Sequence, residues 1–483
     1  MKGCVISAPM TGSGKTTVTL GLLAALRKRG VAVQPFKIGP DFIDPGLHEI
    51  ASGVPSHNLD SWMLTRDANE SLFACASVGR KVAVVEGVMG LFDGFDGKSD
   101  RGSTAEMAVW LDLPVFLVVD AHGMARSAAA LTKGFRLFDP RLKLAGVIFN
   151  RIGGEGHFRI LADAVTDVPI LGWLPVQPSI EIPERHLGLF TGKEDIVVER
   201  IRAIGEFVEK HVLVDEILGS IPSPSGRGRS GSQAKREPDR AKPQAMADAP
   251  GEGDRFAQIL RPSPFLEASP SQARASRPLP EGEGKSNKTH RVALAHDKAF
   301  SFYYHANRLA LLNAGAEIIE FSPINDKEVP DADLLYIGGG YPEIYRNQLE
   351  ANTSMRTSIR RFIESGKKFY AECGGLMYLA ESIDGAQMVG IIPARVEMTD
   401  RLVDFGYCEV RTNSESILGP AGTTARGHQF HYSRAVGLTG SFYRVQQGLR
   451  AYTEGFTFPN GVASYIHLHF LSNPALARNM LNS

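Results

Sequence analysis

The chain has 483 residues, with 53 basic and 53 acidic side chains and no formal net charge; it is too long for one ordinary core, and the charge balance argues against a whole-protein grip on nucleic acid or an acidic membrane. Its four cysteines, Cys4, Cys75, Cys373 and Cys408, are widely spaced with no CxxC pair, a pattern that suggests neither a disulfide framework nor a zinc site and points to a reducing compartment. MKGCVISAP runs almost directly into an apolar strand, and no apolar stretch is long enough to span a bilayer, so a soluble, cytoplasmic protein is expected.

From residue 1 to 215, short apolar runs such as GCVISA, KVAVVEG, LPVFLVVD, LKLAGVIFN and VPILGWLP alternate with longer amphipathic ones such as TVTLGLLAALRKRG. Their β-branched content and length predict buried parallel strands separated by helices, a doubly wound α/β domain. The first strand leads into Gly12-Ser13-Gly14-Lys15-Thr16-Thr17 and at once into a helix, the layout of a phosphate loop. Backbone N–H groups converge on phosphate there, Lys15 neutralises it, and Thr16 can ligate magnesium at the helix N-terminus. Pro9 stands where the ordinary pattern has its first glycine.

Two later loops follow strands in the same way. KIGPDFIDP supplies Asp41 and Asp44, and EGVMGLFDG supplies Glu86 and Asp93. Carboxylates at strand C-termini beside a phosphate loop are candidate catalytic groups, and Thr16, Asp41 and Glu86 are candidate magnesium ligands because hard cations prefer oxygen. Asn150, closing the strand GVIFN, reads either as an adenine-contacting residue of the ATP site or as an ordinary strand terminator.

Residues 216–289 are rich in Pro, Ser, Gly and charge with little apolar periodicity, which predicts a disordered linker or insertion. The α/β pattern resumes over 290–483 as a second catalytic domain. There, Phe369-Tyr370-Ala371-Glu372-Cys373-Gly374-Gly375 reads as a strand turning sharply into a helix, a nucleophile elbow that exposes Cys373, favours its thiolate, and offers the Gly374 N–H to an oxyanion. The glycine turn containing Gly339 supplies a second oxyanion donor. YIHLHF near the end puts His467 and His469 on one strand face; His467 is the expected base and His469 the reserve. The polar segment Arg426-Gly427-His428-Gln429-Phe430-His431-Tyr432 lines a domain junction or takes part in catalysis.

With these motifs in place, APMTGSGKTT, KIGPDFIDP, EGVMGLFDG, ERHLGL, GGGYPE, AECGGLMYL, RGHQFHYS and SYIHLHF, the chain resembles the cobyrinic acid a,c-diamide synthase family over nearly its whole length outside the linker. The resemblance implies a dethiobiotin synthetase-like P-loop half fused to a class I glutamine amidotransferase-like half. It implies Cys373 as nucleophile and His467 as its activator. ATP and glutamine are then co-substrates and magnesium the cofactor; the partner is a corrinoid, with no nucleic acid or membrane, and a homodimer is left open. The reaction implied is amidation of the a and c carboxylates of cobyrinate or hydrogenobyrinate through an acyl phosphate. His469 stands where many amidotransferases place an acidic residue, and Gln429 where the family is expected to carry Glu. Two alternatives are a diamide synthase for another tetrapyrrole, such as a nickel sirohydrochlorin, and a P-loop switch ATPase with a regulatory amidotransferase-like module.

Overall fold

The computed structural model describes residues 2–180, 194–222, 289–437 and 440–482. The ERHLGL motif at 184–189 and the body of the expected linker lie outside them. The apolar runs of the first half become seven strands: β1 Gly3–Ser7, β2 Val33–Ile38, β3 His57–Leu59, β4 Val82–Glu86, β5 Val115–Asp120, β6 Leu144–Ile152 and β7 Ile170–Pro175. They form one sheet, ordered β3-β2-β4-β1-β5-β6-β7, with every pairing parallel. Helices cover both faces, which is why β1, β2 and β4 are buried along their whole length and read as continuous runs without alternation.

Helix α1, Lys15–Lys28, follows β1, and α2, Ile43–Ser52, follows β2. Gly14 caps α1 with φ 99, a left-handed conformation that glycine adopts without steric cost. The folded unit runs past the expected boundary at 215. A helix over Val214–Ser220 buries Ile217 in the core that also holds Leu22 and Val208.

In the second half, β8 His290–Ala295, β9 Phe300–Phe302, β10 Ala316–Phe321, β11 Leu334–Ile337, β12 Gly339–Gly340 and β13 Lys368–Glu372 are the first strands. A six-stranded sheet is ordered β10-β8-β11-β13, then Gly461–Ser464 and Phe456–Phe458. The β9–β12 pair and further small sheets surround it, including the antiparallel strands Asp404–Thr412 and Thr424–His431.

The halves share a core in which Leu59, Trp62 and Met63 meet Tyr304 and Leu468. Polar contacts fix the match: Tyr407 Oη donates to Asp60 Oδ2 at 2.8 Å, and Arg426 Nη1 donates to Trp62 O at 3.2 Å. Among the described residues no helix is long and apolar enough to cross a membrane.

Candidate active site

Parallel strands end on one edge, and the phosphate loop, the β2 end and the β4 end meet there because β1 and β2 flank β4. In the loop, Ser13 Oγ donates to Met10 O at 3.0 Å. Lys15 Nζ donates to Met89 O at 2.5 Å; burial, then the nearby Lys37, lowers its pKa. Thr16 Oγ1 donates to Glu86 Oε1 at 2.7 Å, pairing the two oxygen donors that a P-loop magnesium site requires. Thr17 and Gly14 border a cavity with Asn150, Pro175 and Phe207.

Glu86 is fully buried and is not an isolated carboxylate. Register places it beside Lys37, whose Nζ donates to Oε1 at 3.0 Å, while His48 Nε2 lies 2.7 Å from Oε2. Burial alone would raise the Glu86 pKa, but Lys37, His48 and Thr16 outweigh it and hold the group well below the ordinary range. Burial would likewise lower Lys37, and Asp44 and Glu86 outweigh it. The Lys37 ammonium is paired directly with Asp44.

The other acidic candidates make different contacts. Asp44, a candidate catalytic group, is the buried charge partner of Lys37, and burial pushes its carboxyl upward. Asp41 Oδ1 accepts from Ile43 N at 2.7 Å and Asp44 N at 3.0 Å, the turn-forming role that its residue type favours before a helix. Asp93 Oδ2 accepts from Gly90 N at 3.0 Å, closing its own loop. Neither Asp41 nor Asp93 hydrogen-bonds Thr16 or Glu86. Asn150 Nδ2 donates to Ser13 O at 2.9 Å and its Oδ1 accepts from Arg151 N at 2.9 Å, so its amide braces the phosphate loop. Thr16 and Glu86 fit a magnesium ion as adjacent oxygen donors. Among the described residues no group of three or more His, Cys, Asp or Glu could hold a metal by itself.

The thiol site forms where β13 ends. Cys373 takes φ 49 and ψ −102 at the start of the helix Gly374–Leu379, a strained backbone of the kind that nucleophile elbows use. Burial, then Glu343, pushes the Cys373 thiol up to about 12 despite the Gly374 N–H, so forming the thiolate calls for a base. A Cβ on Gly374 would lie 3.1 Å from Gly340 N, and one on Gly339 would lie 2.4 Å from His467 Cε1. The glycine loop thus touches both the elbow and the histidine. Cys373 hydrogen-bonds through its backbone, N–H to Ser464 O at 2.7 Å and O from Met377 N at 3.0 Å, and no hydrogen bond joins its thiol to His467. Such contacts often tighten only when substrate binds.

His467 is buried, and its pKa is lowered by burial and by His428 and His431. It stacks on His428 at 5.0 Å between ring centroids, and Tyr304 Oη lies 2.7 Å from His428 Nδ1. Arg426 on Trp62 O and His428 beside Phe42 place RGHQFHY at the domain junction. Gln429 is buried and donates to Tyr452 Oη. The contact that unites the half-sites is Phe42, between Asp41 and Asp44. Its ring lies 5.0 Å from His467, 5.4 Å from His428, 4.8 Å from Tyr304 and 5.3 Å from Phe302. Sequence reasoning missed Phe42, His48 and Tyr304 as site residues, and only the first had a signal, its place inside a motif.

Two family models divide the chain as these sites do. A CobQ/CobB/MinD/ParA nucleotide binding domain matches residues 4–190, and a CobB/CobQ-like glutamine amidotransferase domain matches residues 291–475. Cobyrinate a,c-diamide synthase from Listeria innocua is 40% identical over 497 aligned residues, covering 100% of this chain and 99% of that protein. The protein of the same name from Syntrophotalea carbinolica is 40% identical, covering 98% and 96%, and that from Salmonella typhimurium is 37% identical, covering 99% and 97%. A nucleotide site and a glutaminase-type thiol site joined in one chain, with identity at this level from end to end, place this chain in the cobyrinate a,c-diamide synthase family.

Proposed function

We propose that the chain converts the a and c side-chain carboxylates of cobyrinate, or of its cobalt-free analogue hydrogenobyrinate, to carboxamides, using ATP and the amide nitrogen of glutamine. The observation that carries this reading is Phe42, which extends from the Lys37–Asp44–Glu86 cluster of the ATP half onto His467 of the thiol half.

A carboxylate resists ammonia at neutral pH, so its oxygen must first become a leaving group. The γ-phosphoryl group of ATP passes to the substrate carboxylate, giving an acyl phosphate and ADP. Lys15 leaves its carbonyl partners for the phosphates, and the backbone N–H groups of Gly12 to Thr17 orient them. Magnesium held by Thr16 and Glu86 would offset repulsion between carboxylate and phosphate. Lys37, kept charged by its two carboxylates, adds a fixed cation on the same edge.

In the other half, Cys373 gives its thiol proton to His467 and attacks the glutamine side-chain carbonyl. The Gly339 and Gly374 N–H groups receive the oxyanion. His467 returns the proton to the departing nitrogen, ammonia leaves, and water later cleaves the thioester to glutamate. Ammonia attacks the acyl phosphate carbon and phosphate departs, giving one amide per ATP. Delivery past Phe42 keeps ammonia out of bulk water, where it would be protonated and non-nucleophilic.

The test is mass spectrometry of products after cobyrinate, hydrogenobyrinate or a nickel sirohydrochlorin is supplied with ATP, magnesium and glutamine. Two amidations of cobyrinate or hydrogenobyrinate are expected, and their absence alongside amidation of the nickel compound would overturn the substrate assignment. Cys373→Ala should lose glutamine-dependent product while keeping the ammonia-dependent reaction; survival of both would remove the thiol role.

A further inference from the structure

His469 occupies the place where many amidotransferases carry the acidic member of the triad. The Nδ1 of His467 is buried with no hydrogen-bond partner. A buried polar atom left unpaired requires an explanation, and here it is the atom that decides how the base works. For Nε2 to accept a thiol proton, Nδ1 must hold the other proton, and an acceptor there fixes that tautomer and steadies the imidazolium.

Among the described residues, one carboxylate lies within 4.0 Å of that nitrogen: Glu372, whose Oε2 is 4.0 Å away. Glu372 is the last residue of β13, directly before the nucleophile, and is 2% exposed. Tyr370 Oη donates to its Oε1 at 2.7 Å, Tyr336 Oη to its Oε2 at 2.9 Å, and Leu468 N to Oε1 at 2.9 Å. The last bond matters most, because Leu468 is the neighbour of His467 on its short strand. One side chain therefore pins the strand that bears the base and faces the base itself. No existing Nδ1 bond has to break for the imidazole to approach this carboxylate.

We propose that Glu372 is the positioning residue of the thiol site, accepting the Nδ1 proton of His467 as Nε2 takes the proton of Cys373. The triad then runs Cys373–His467–Glu372, its acidic member supplied by the strand entering the elbow instead of by the position two residues after the histidine. This rests on the reading of His467 as the base.

The groups that face this carboxyl are Tyr303, Tyr304, Tyr336, Tyr370 and Tyr443, with Cys373 and His467. Only His467 among them can supply a positive charge. Burial raises the Glu372 pKa to about 7 against the pull of Tyr370, Leu468 N–H and Tyr336. Glutaminase turnover should therefore fall on the acid side of neutrality as this carboxylate is protonated.

Glu372→Gln preserves volume and an acceptor for Leu468 N–H while removing the charge. Glutaminase kcat is expected to drop by about 100-fold, with the KM for glutamine within about twofold and the acid limb lost. Iodoacetamide should alkylate Cys373 more slowly, and ammonia-driven amidation should be retained. Wild-type kcat and pH profile in this variant would overturn the proposal. Glu372→Asp guards against a folding effect: it should keep an acid limb, and if it matches Glu372→Gln in kcat without one, the role is packing alone. His467→Ala separates the underlying reading, since retained glutaminase in that variant removes the base itself, whereas its loss beside an unaffected Glu372→Gln removes only the present proposal.

Discussion

Lys15 is held in this structure by the carbonyls of Met89 and Met10, neutral acceptors that a triphosphate replaces with charged ones. Lys15→Ala should thus lower amide synthesis by at least about 100-fold with either glutamine or ammonia as nitrogen source, measured as ADP and carboxamide formed. Ammonia-dependent synthesis at the wild-type rate would remove the P-loop assignment. Gly339 is constrained in a different way. Its missing Cβ would lie 2.4 Å from His467 Cε1, so Gly339→Ala has to displace the base or the oxyanion loop. A loss of about 100- to 1000-fold in glutaminase is expected, the scale of losing one oxyanion donor, with ammonia-driven synthesis little changed. The phosphate loop and the strand-to-helix turn at Cys373 were legible in the sequence because glycine-rich turns carry a local signature. His48 and Tyr304 were not, since their partners Glu86 and His428 are distant along the chain and single histidines and tyrosines carry no local signature.

The elements that matter most are those whose ends lie on the interface. The loop from β2 into α2 supplies a capping carboxylate at Asp41, an ion-pair carboxylate at Asp44, and between them the ring of Phe42. Sequence spacing put all three at the ligand-bearing edge, yet spacing alone could not tell a cap from a metal ligand, because aspartate serves either role. Phe42→Ala should loosen the contact with His467 and let ammonia escape. The expected readout is more glutamate released per carboxamide than the one-to-one ratio of the parent, while ammonia-driven synthesis continues. An unchanged ratio would mean that Phe42 has no part in coupling the two reactions.

At the scale of the whole molecule, the halves meet through Asp60, which accepts from Trp62 N at 2.8 Å, Met63 N at 2.7 Å and Tyr407 Oη at 2.8 Å. Burial raises this carboxyl to about 6 in spite of those bonds. In the unfolded chain it ionises near 4, so between these values the native state holds more protons, and this group's contribution to stability declines as pH rises through that window. Asp60→Asn does not titrate, so its stability relative to the parent should increase from about pH 4 to pH 6, by at most about 3 kcal/mol, and then level off. Thermal melts of both proteins across that range check it; a difference independent of pH would place the ionisation elsewhere.

The sequence by itself determined the two α/β units, their order, the phosphate loop and the thiol elbow, because strand periodicity and glycine turns are local properties of the chain. Only the tertiary structure decided how those parts act on one another. It set Glu86 among Lys37, His48 and Thr16, drew Asp44 into an ion pair, laid Phe42 on His467, and brought Glu372 to the unpaired face of that histidine. Apart from Lys37–Asp44, seven residues apart, these contacts join residues far apart in the chain, and pairing of that kind is fixed by sheet order and burial, which no short window of sequence contains.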